Sequence, residues 1–382
     1  MKFKFFKFSK FIHRNQSIKI HNQNPIFLKE SINHLIQKNI LNPIYCDATF
    51  GTGGHTKALL DNHPNCIVIA IDHDPFSIDY AIEMSNIHSY KGRLFPVQGK
   101  FGNVEKIVKQ TLQNQFPDRF IDRPCLDGII FDVGLSTHQM SNPDRGFSFG
   151  QEGPLDMRME SRGRFDCTGD LGRTLTAEAL VNTFNVDQLT EIFLKYGEEK
   201  QARKIALAIE RHRNVTPITT TIQLAQIFAE GKGRAEQKLR KFAHPAIKPF
   251  MALRMFINNE LSQLHEGLIG SESLLKPNAN CLVITPHSIQ DRIVKKFFKS
   301  CQHGIPNEIK LVNPNLKSKN SLRSLRLMKP SNLDDENVDI FDENYDSNNS
   351  TTFPTHSITQ MDGNQTSKAS FSLFKKICRF FE

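Results

Sequence analysis

The octapeptide Asp47-Ala48-Thr49-Phe50-Gly51-Thr52-Gly53-Gly54 sets an acid and three glycines where an apolar run, residues 45–50, gives way to a helical pattern through Leu60. Glycines at a strand-to-helix turn let a ligand approach the backbone and meet the unpaired N–H groups of the helix. A glycine turn alone says little. Its weight grows with Asp72, which closes the next apolar run, residues 66–71, and stands 19 positions after Gly53. That is close to the spacing at which a carboxylate accepts hydrogen bonds from a ribose diol. Together they predict an adenosine-containing cofactor at the carboxyl edge of a parallel sheet.

The surrounding residues narrow the choice of cofactor. A dinucleotide fingerprint wants Gly or Ala at position 56, where Thr56 stands, and His55 crowds the place a pyrophosphate would take. S-adenosylmethionine carries an amino acid and a sulfonium in place of phosphate, so acids beside the glycine turn suit it. Asp47 is one such acid, and Asp132, at the end of a further apolar run, 126–131, is another. One isolated carboxylate is as well explained as a helix cap or a solvated charge. Acids at successive strand ends weaken that explanation.

Strand, glycine turn, helix, strand with a terminal acid is the form of a doubly wound α/β sheet, and residues 281–285 before Pro286-His287-Ser288 read as a later strand. Residues 145–243 break the rhythm with charged, helix-forming sequence, as an inserted helical domain would. The expected organisation is therefore a sheet core over 23–144 and 244–330, interrupted by a helical substrate-recognition domain over 145–243. Residues 1–22 form a basic arm or mitochondrial transit peptide, since the first 29 residues hold seven Lys/Arg and no acid. Residues 331–382, rich in Asn, Asp, Ser and Thr, are expected to be a disordered tail, with a short amphipathic helix over 371–382 as the lesser reading.

The balance of 49 Lys+Arg against 40 Asp+Glu is uneven along the 382 residues. The last 52 carry nine acids and four bases, which leaves 45 against 31, or +14, on the first 330. A body that basic suits a polyanion, and nucleic acid is the commonest one. No apolar run nears the ~20 residues of a membrane-spanning helix, and mean hydropathy is −0.40. Seven cysteines without a CxxC pair argue against a disulfide framework or a thiolate metal site. No metal is expected.

Read in order, the stretches DATFGTGGHTKALL, AIDHDP, LDGIIFDVGLSTHQM, RGFSFGQEGPLDMRM, YGEEKQARKIALAI, HPAIKPFMALRMFINNEL and HSIQDRIVKKFF resemble one family. It is the small-subunit ribosomal RNA methyltransferases that modify the exocyclic amine of a cytosine, called methyltransferase H or MraW. The resemblance covers most of residues 23–330 and implies a Rossmann-like methyltransferase sheet with S-adenosylmethionine as cofactor. It also implies cofactor contacts at Gly53, Gly54, His55, Asp72, Phe101, Asp132 and Gln139. The chain departs from the family at Gln23, where a histidine is usual, and at Pro286 and Gln290, where Phe and Glu are usual. The family's basic Asn-Pro-Arg-Ala-Arg-Ser segment is kept only as charge, in residues 315–326.

A cytosine amine is a weak nucleophile, so most of the rate should come from positioning and a water-poor site. The Asp/Asn-Pro-Pro-aromatic loop of many amino-methylating enzymes is replaced here by Asp132-Val133-Gly134-Leu135. Asp132, Asp156 and His287 are the candidate catalytic groups in falling order, with pairing to Arg158 an equally good explanation of Asp156. Arg203, Lys204, Arg211, Arg213, Arg292, Lys295 and Lys296 are candidate phosphate contacts. The expected partner is small-subunit ribosomal RNA, naked or in an assembling subunit. Alternatives are a methyltransferase acting on protein and a non-catalytic RNA-binding assembly factor.

Overall fold

The computed structural model describes residues 25, 27–36, 40–117, 124–161, 175–232 and 244–302, together with two strands at 357–363 and 371–373. Five parallel strands, β1 (Ile44–Asp47), β2 (Ile67–Asp72), β3 (Leu94–Gln98), β4 (Leu126–Asp132) and β5 (Leu275–Thr285), lie in the order β3-β2-β1-β4-β5. The order reverses between β1 and β4, which is where open α/β sheets form their ligand crevice. The carboxyl ends of β1, β2 and β4 carry Asp47, Asp72 and Asp132.

Near-continuous apolar strands are buried on both faces, and the alternation of side chains decides which helices they meet. Val68, Ala70, Ile130, Leu282 and Ile284 pack with Leu35, Leu59, Leu60 and Ala81. Those four come from α1 (Leu28–Leu35), α2 (Gly54–Asn62) and α3 (Pro75–Ser85). Ile69, Ile71, Ile129, Phe131 and Val283 turn to the opposite face. There they meet Val104 and Val108 of α4 (Val104–Gln115). A short α5 (Thr137–Ser141) follows β4 and is fixed by a capping box between Ser136 and Gln139.

Between β4 and β5 the described residues form four helices first: α6 (Ala177–Thr183), α7 (Val186–Gly197), α8 (Ala202–Arg213) and α9 (Thr221–Lys232). Their core of Leu180, Leu189, Phe193, Ile205, Leu224 and Phe228 also takes in Phe250 and Leu253 from α10 (Ile247–Ile257). The helical body therefore extends past residue 243, because the apolar face of α10 has its partners there and not on the sheet. The chain then returns through α11 (Glu260–Leu274), and α12 (Ser288–Gln302) follows β5. Leu264, Leu268, Val294 and Phe297 of these two helices complete the face begun by α4.

Two further departures concern strands. β3 gives no clear strand signal in sequence because Pro96 interrupts it, and its place at the sheet edge makes the missing N–H tolerable. The tail expectation is corrected at two stretches: β6 (Ser357–Gly363) pairs antiparallel with β5, and β7 (Phe371–Leu373) pairs with β6. β6 occupies the edge that β5 would otherwise present unpaired. Of the stretch 371–382, residues 371–373 are strand and 374–382 lie outside the described residues. The basic arm at 1–22 and the segment 315–326 lie outside the described residues. Cys46, Cys66 and Cys281 are buried free thiols, as small core residues would be. Among the described residues no helix is long and apolar enough to cross a membrane, and no His/Cys/Asp/Glu group could hold a metal ion.

Candidate active site

The site is built outward from the glycine turn. Gly51 and Gly53 adopt φ of 56° and 76°, the left-handed region that glycine enters without strain. A Cβ on Gly51 would project toward the Cβ of Ser136, 3.7 Å away, so this glycine keeps open the space between the segments after β1 and β4. Gly53 and Gly54 pass into α2. The Gly51 N–H donates to Asp72 Oδ2 at 2.6 Å, and the Asp74 N–H donates to Asp72 Oδ1 at 2.8 Å. Each Asp72 oxygen is thus oriented by a backbone donor and keeps a lone pair for a ligand. Burial outweighs both bonds and pushes the Asp72 carboxyl up to about 6.

Asp47 and Asp132 complete a cluster of acids. Asp47 is buried, accepting from Thr56 Oγ1 at 2.7 Å and from the Thr49 N–H at 3.2 Å, and its burial raises the carboxyl to about 6. The Asp132 N–H donates to Thr49 Oγ1 at 2.6 Å, joining the ends of β1 and β4. Desolvation, and then the neighbouring Asp47, push the Asp132 carboxyl up to about 7, although 33% of its side chain stays exposed. His55 Nδ1 lies 3.8 Å from Asp132 Oδ2. The His55 ring is buried, its Nε2 has no hydrogen-bond partner, and desolvation pulls it down to about 4. At neutral pH it is an uncharged ring with one unsatisfied nitrogen.

These features test the expected cofactor. A field set by three carboxylates repels a pyrophosphate and favours a ligand carrying an ammonium and a sulfonium. The oriented lone pairs of Asp72 match a ribose diol, and a buried orphan nitrogen on His55 calls for a polar ligand atom. Phe101 opens a 3-10 turn directly after β3 and meets Phe131 edge-on, with ring centroids 6.0 Å apart. It stays half-buried, leaving apolar ring surface near the strand ends. The residues present fit S-adenosylmethionine.

The remaining expected residues divide. Gln139 has both amide ends engaged within the protein: Oε1 accepts the Ser136 N–H at 2.9 Å and Nε2 donates to Asp74 Oδ2 at 2.8 Å. Its amide therefore links the Ser136 turn to Asp74 at this edge. The Asp156 carboxylate accepts from Arg158 Nε at 2.7 Å, from the second Arg158 amino group at 2.9 Å, from the Arg158 N–H at 3.0 Å and from Ser161 Oγ at 3.0 Å. It is buried, and each of its oxygens already accepts two protein donors. His287 lies three residues beyond Ile284, which pairs with Asp132 across β4 and β5, so it stands at the same sheet edge. Its neighbour Pro286 is 3.5 Å from where a Gly134 Cβ would sit.

Sequence reading missed Asp74 and Arg145. Asp74 caps α3 through the Phe76 N–H at 3.0 Å, and Arg145 donates to its Oδ2 at 2.8 Å. The Asp-Pro pair ahead of an apolar run was the available signal for the cap. The partner of Arg145 lies 71 residues away, which no local pattern shows.

The candidate phosphate contacts also divide. Arg213 donates to the carbonyls of Val181 and Phe184, Arg203 pairs with Asp187, Arg292 with Glu198 and Lys295 with Asp291. Lys204, Arg211 and Lys296 are exposed on α8 and α12.

The sequence model of the MraW methylase family matches residues 20–339. The chain is 37% identical over 275 residues to "Ribosomal RNA small subunit methyltransferase H" of Carboxydothermus hydrogenoformans, covering 72% of this chain and 79% of that protein. It is 39% identical over 255 residues to "Probable methyltransferase-like protein 15 homolog" of Drosophila melanogaster, covering 66% of this chain and 67% of that one. A third relative, "Ribosomal RNA small subunit methyltransferase H" of Thermomicrobium roseum, is 39% identical over 69% of this chain and 74% of its own length.

Proposed function

The chain belongs to the MraW methylase family, and from that premise we propose that it methylates the exocyclic N4 amine of a cytosine in small-subunit ribosomal RNA, within the mitochondrion. It is an S-adenosylmethionine-dependent rRNA methyltransferase. The observation that carries the reading is the cluster Asp47, Asp72 and Asp132 gathered at the switch point of the sheet, with His55 neutral beside it. The mitochondrial address rests on the basic, acid-free first 29 residues.

When bound, the cofactor supplies a methyl group activated by sulfonium. The chain does the holding. Asp72 accepts the ribose hydroxyls, the Phe101 ring packs on the adenine, and the glycine turn with His55 lines the methionine portion. Asp132, ionised, accepts a hydrogen bond from the target amine and holds the proton it sheds at Oδ2. A carboxyl titrating near 7 is matched to that task. His287, at the same edge, orients the base. Asp156 and Gln139 act as positioning residues through the contacts already given. The exposed Lys204, Arg211 and Lys296 hold RNA phosphates.

The test is to quantify N4-methylcytidine by mass spectrometry in mitochondrial small-subunit rRNA from cells with and without the protein. Loss of the mark, restored by the intact chain and not by Asp72→Ala, supports the reading. An unchanged mark overturns the organellar assignment and leads to cytosolic RNA and protein substrates with labelled cofactor.

A further inference from the structure

Two aromatic rings that this chemistry does not use stand together at the carboxyl edge. Phe76, on the first turn of α3, and His138, in α5, stack with ring centroids 3.6 Å apart and planes 4° from parallel. An isolated ring pair prefers an offset or edge-on arrangement, so the surrounding structure imposes this one. The carboxylate of Asp74 is the organiser. Its Oδ1 accepts the Phe76 N–H, while its Oδ2 accepts from Gln139, the residue next to His138, and from Arg145. One buried acid therefore fixes the two backbones from which the rings project.

The rings are half-buried, and Met140, two residues past His138, is 46% exposed. Burial above all, and also the charge of Arg145, lowers the His138 pKa against the pull of Asp74. Its ring thus meets a neighbour as an uncharged π surface. The location is specific: Phe76 lies four residues after Asp72, and His138 six residues after Asp132, so the pair adjoins the cluster where methyl transfer is placed. Bases of single-stranded RNA are held by stacking on rings of this kind, with the phosphates bound elsewhere by Lys and Arg. Residues 1–29 hold seven Lys/Arg and no acid, and residues 303–330 hold six Lys/Arg against one acid, so the chain offers basic segments that such a strand requires.

We propose that the Phe76–His138 pair is a stacking platform for an RNA base adjacent to the methylated cytosine. The proposal rests on the RNA reading above. The experiment uses the full chain and short single-stranded oligoribonucleotides with one cytosine and 2-aminopurine at successive flanking positions. With the wild type, emission is expected to be quenched at one flanking position. Phe76→Ala and His138→Ala should abolish that quench and weaken RNA binding about tenfold, with S-adenosylhomocysteine affinity unchanged by calorimetry. Phe76→Tyr, which keeps a ring, should restore the quench.

Quenching that persists in both alanine variants overturns the platform. A tenfold loss of S-adenosylhomocysteine affinity also overturns it and assigns the rings to the cofactor. A wild type that methylates and binds these RNAs without quenching any flanking position removes the platform but leaves the enzyme reading intact. A wild type that neither binds nor methylates RNA overturns both.

Discussion

Asp74 and Arg145 form an ion pair of 2.8 Å in which the side chains are 1% and 2% exposed. The second amino group of Arg145 reaches the carbonyls of Arg158 and Met159, at 3.1 and 3.0 Å, so the pair ties the acidic turn after β2 to the loop that precedes the inserted helices. Desolvating two charges is costly, and such a pair serves register better than net stability. Removing one partner leaves a buried charge alone. Arg145→Met should therefore cost about 3–5 kcal/mol in urea unfolding, and adding Asp74→Asn should cost less than the sum of the two singles. Strict additivity would show that the two residues are not coupled.

Much of this edge was legible beforehand because its signals are local. The glycine turn, Asp72 and Asp132 each terminate a short apolar run, and a carboxylate at a strand end is visible without knowing what lies beside it. The contacts of Gln139 and Arg145 with Asp74, and the full shell of Asp156, were not, since those partners are supplied only by the fold. The saturated shell around Asp156 shows this well: the sequence places Arg158 two residues away, yet only the structure adds Ser161 and closes the last acceptor. Tail strand β6 was equally hidden, because a segment of seven residues with only Ile358 and Met361 apolar has no apolar period to announce it, and its pairing with β5 is a property of the open sheet edge.

Asp132 should make activity depend on pH. With its carboxyl near 7, the methylation rate at saturating substrates should rise with pH to a plateau above 7, and Asp132→Asn should remove that limb and lower kcat by about 10²–10⁴. Stability should move the other way. A carboxyl whose folded pKa is raised stabilises fully below its unfolded value and loses that contribution as pH rises through its folded one. At pH 8 Asp132→Asn should gain about 1 kcal/mol after allowing for the exposed third, or roughly 2–4 °C in melting temperature by scanning calorimetry. A variant that is both inactive and less stable would contradict the acid-cluster account.

Asp72 must be ionised to accept both ribose hydroxyls. Its carboxyl is pushed to about 6, so S-adenosylhomocysteine affinity by calorimetry should be flat above pH 7 and fall about tenfold per unit well below 6. Asp72→Ala should bind roughly a hundredfold more weakly at pH 8 and lose this pH dependence. Unaltered pH dependence in the variant would place the titrating group elsewhere.

His55 should resist protonation. Its folded pKa, about 4, lies below the unfolded value near 6.5, so the neutral ring stabilises fully above 6.5 and that contribution, up to about 3 kcal/mol, is lost as pH falls toward 4. The chemical shift of its ring Cε1 proton should titrate near 4, and His55→Gln should lose less stability over the same window than the wild type. A midpoint at 6.5 would mean that solvent reaches the ring.

The basic surface can be divided by what each side chain already holds. Arg213 is committed to the Val181 and Phe184 carbonyls, and so fastens α8 to the end of α6 and the turn after it. Arg213→Ala should lower the melting temperature and leave the salt dependence of RNA binding unchanged. Lys204, Arg211 and Lys296 are exposed on α8 and α12, free to approach phosphate. Replacing all three with Ala should reduce the slope of log affinity against log salt by about 2 for a single-stranded RNA, while the fold is preserved, because each neutralised phosphate contributes about 0.7 to that slope. Fluorescence anisotropy across a salt series measures the slope directly. If the triple variant keeps the wild-type slope, the strand runs over a different face of the molecule, and the phosphate contacts must then be sought away from α8 and α12.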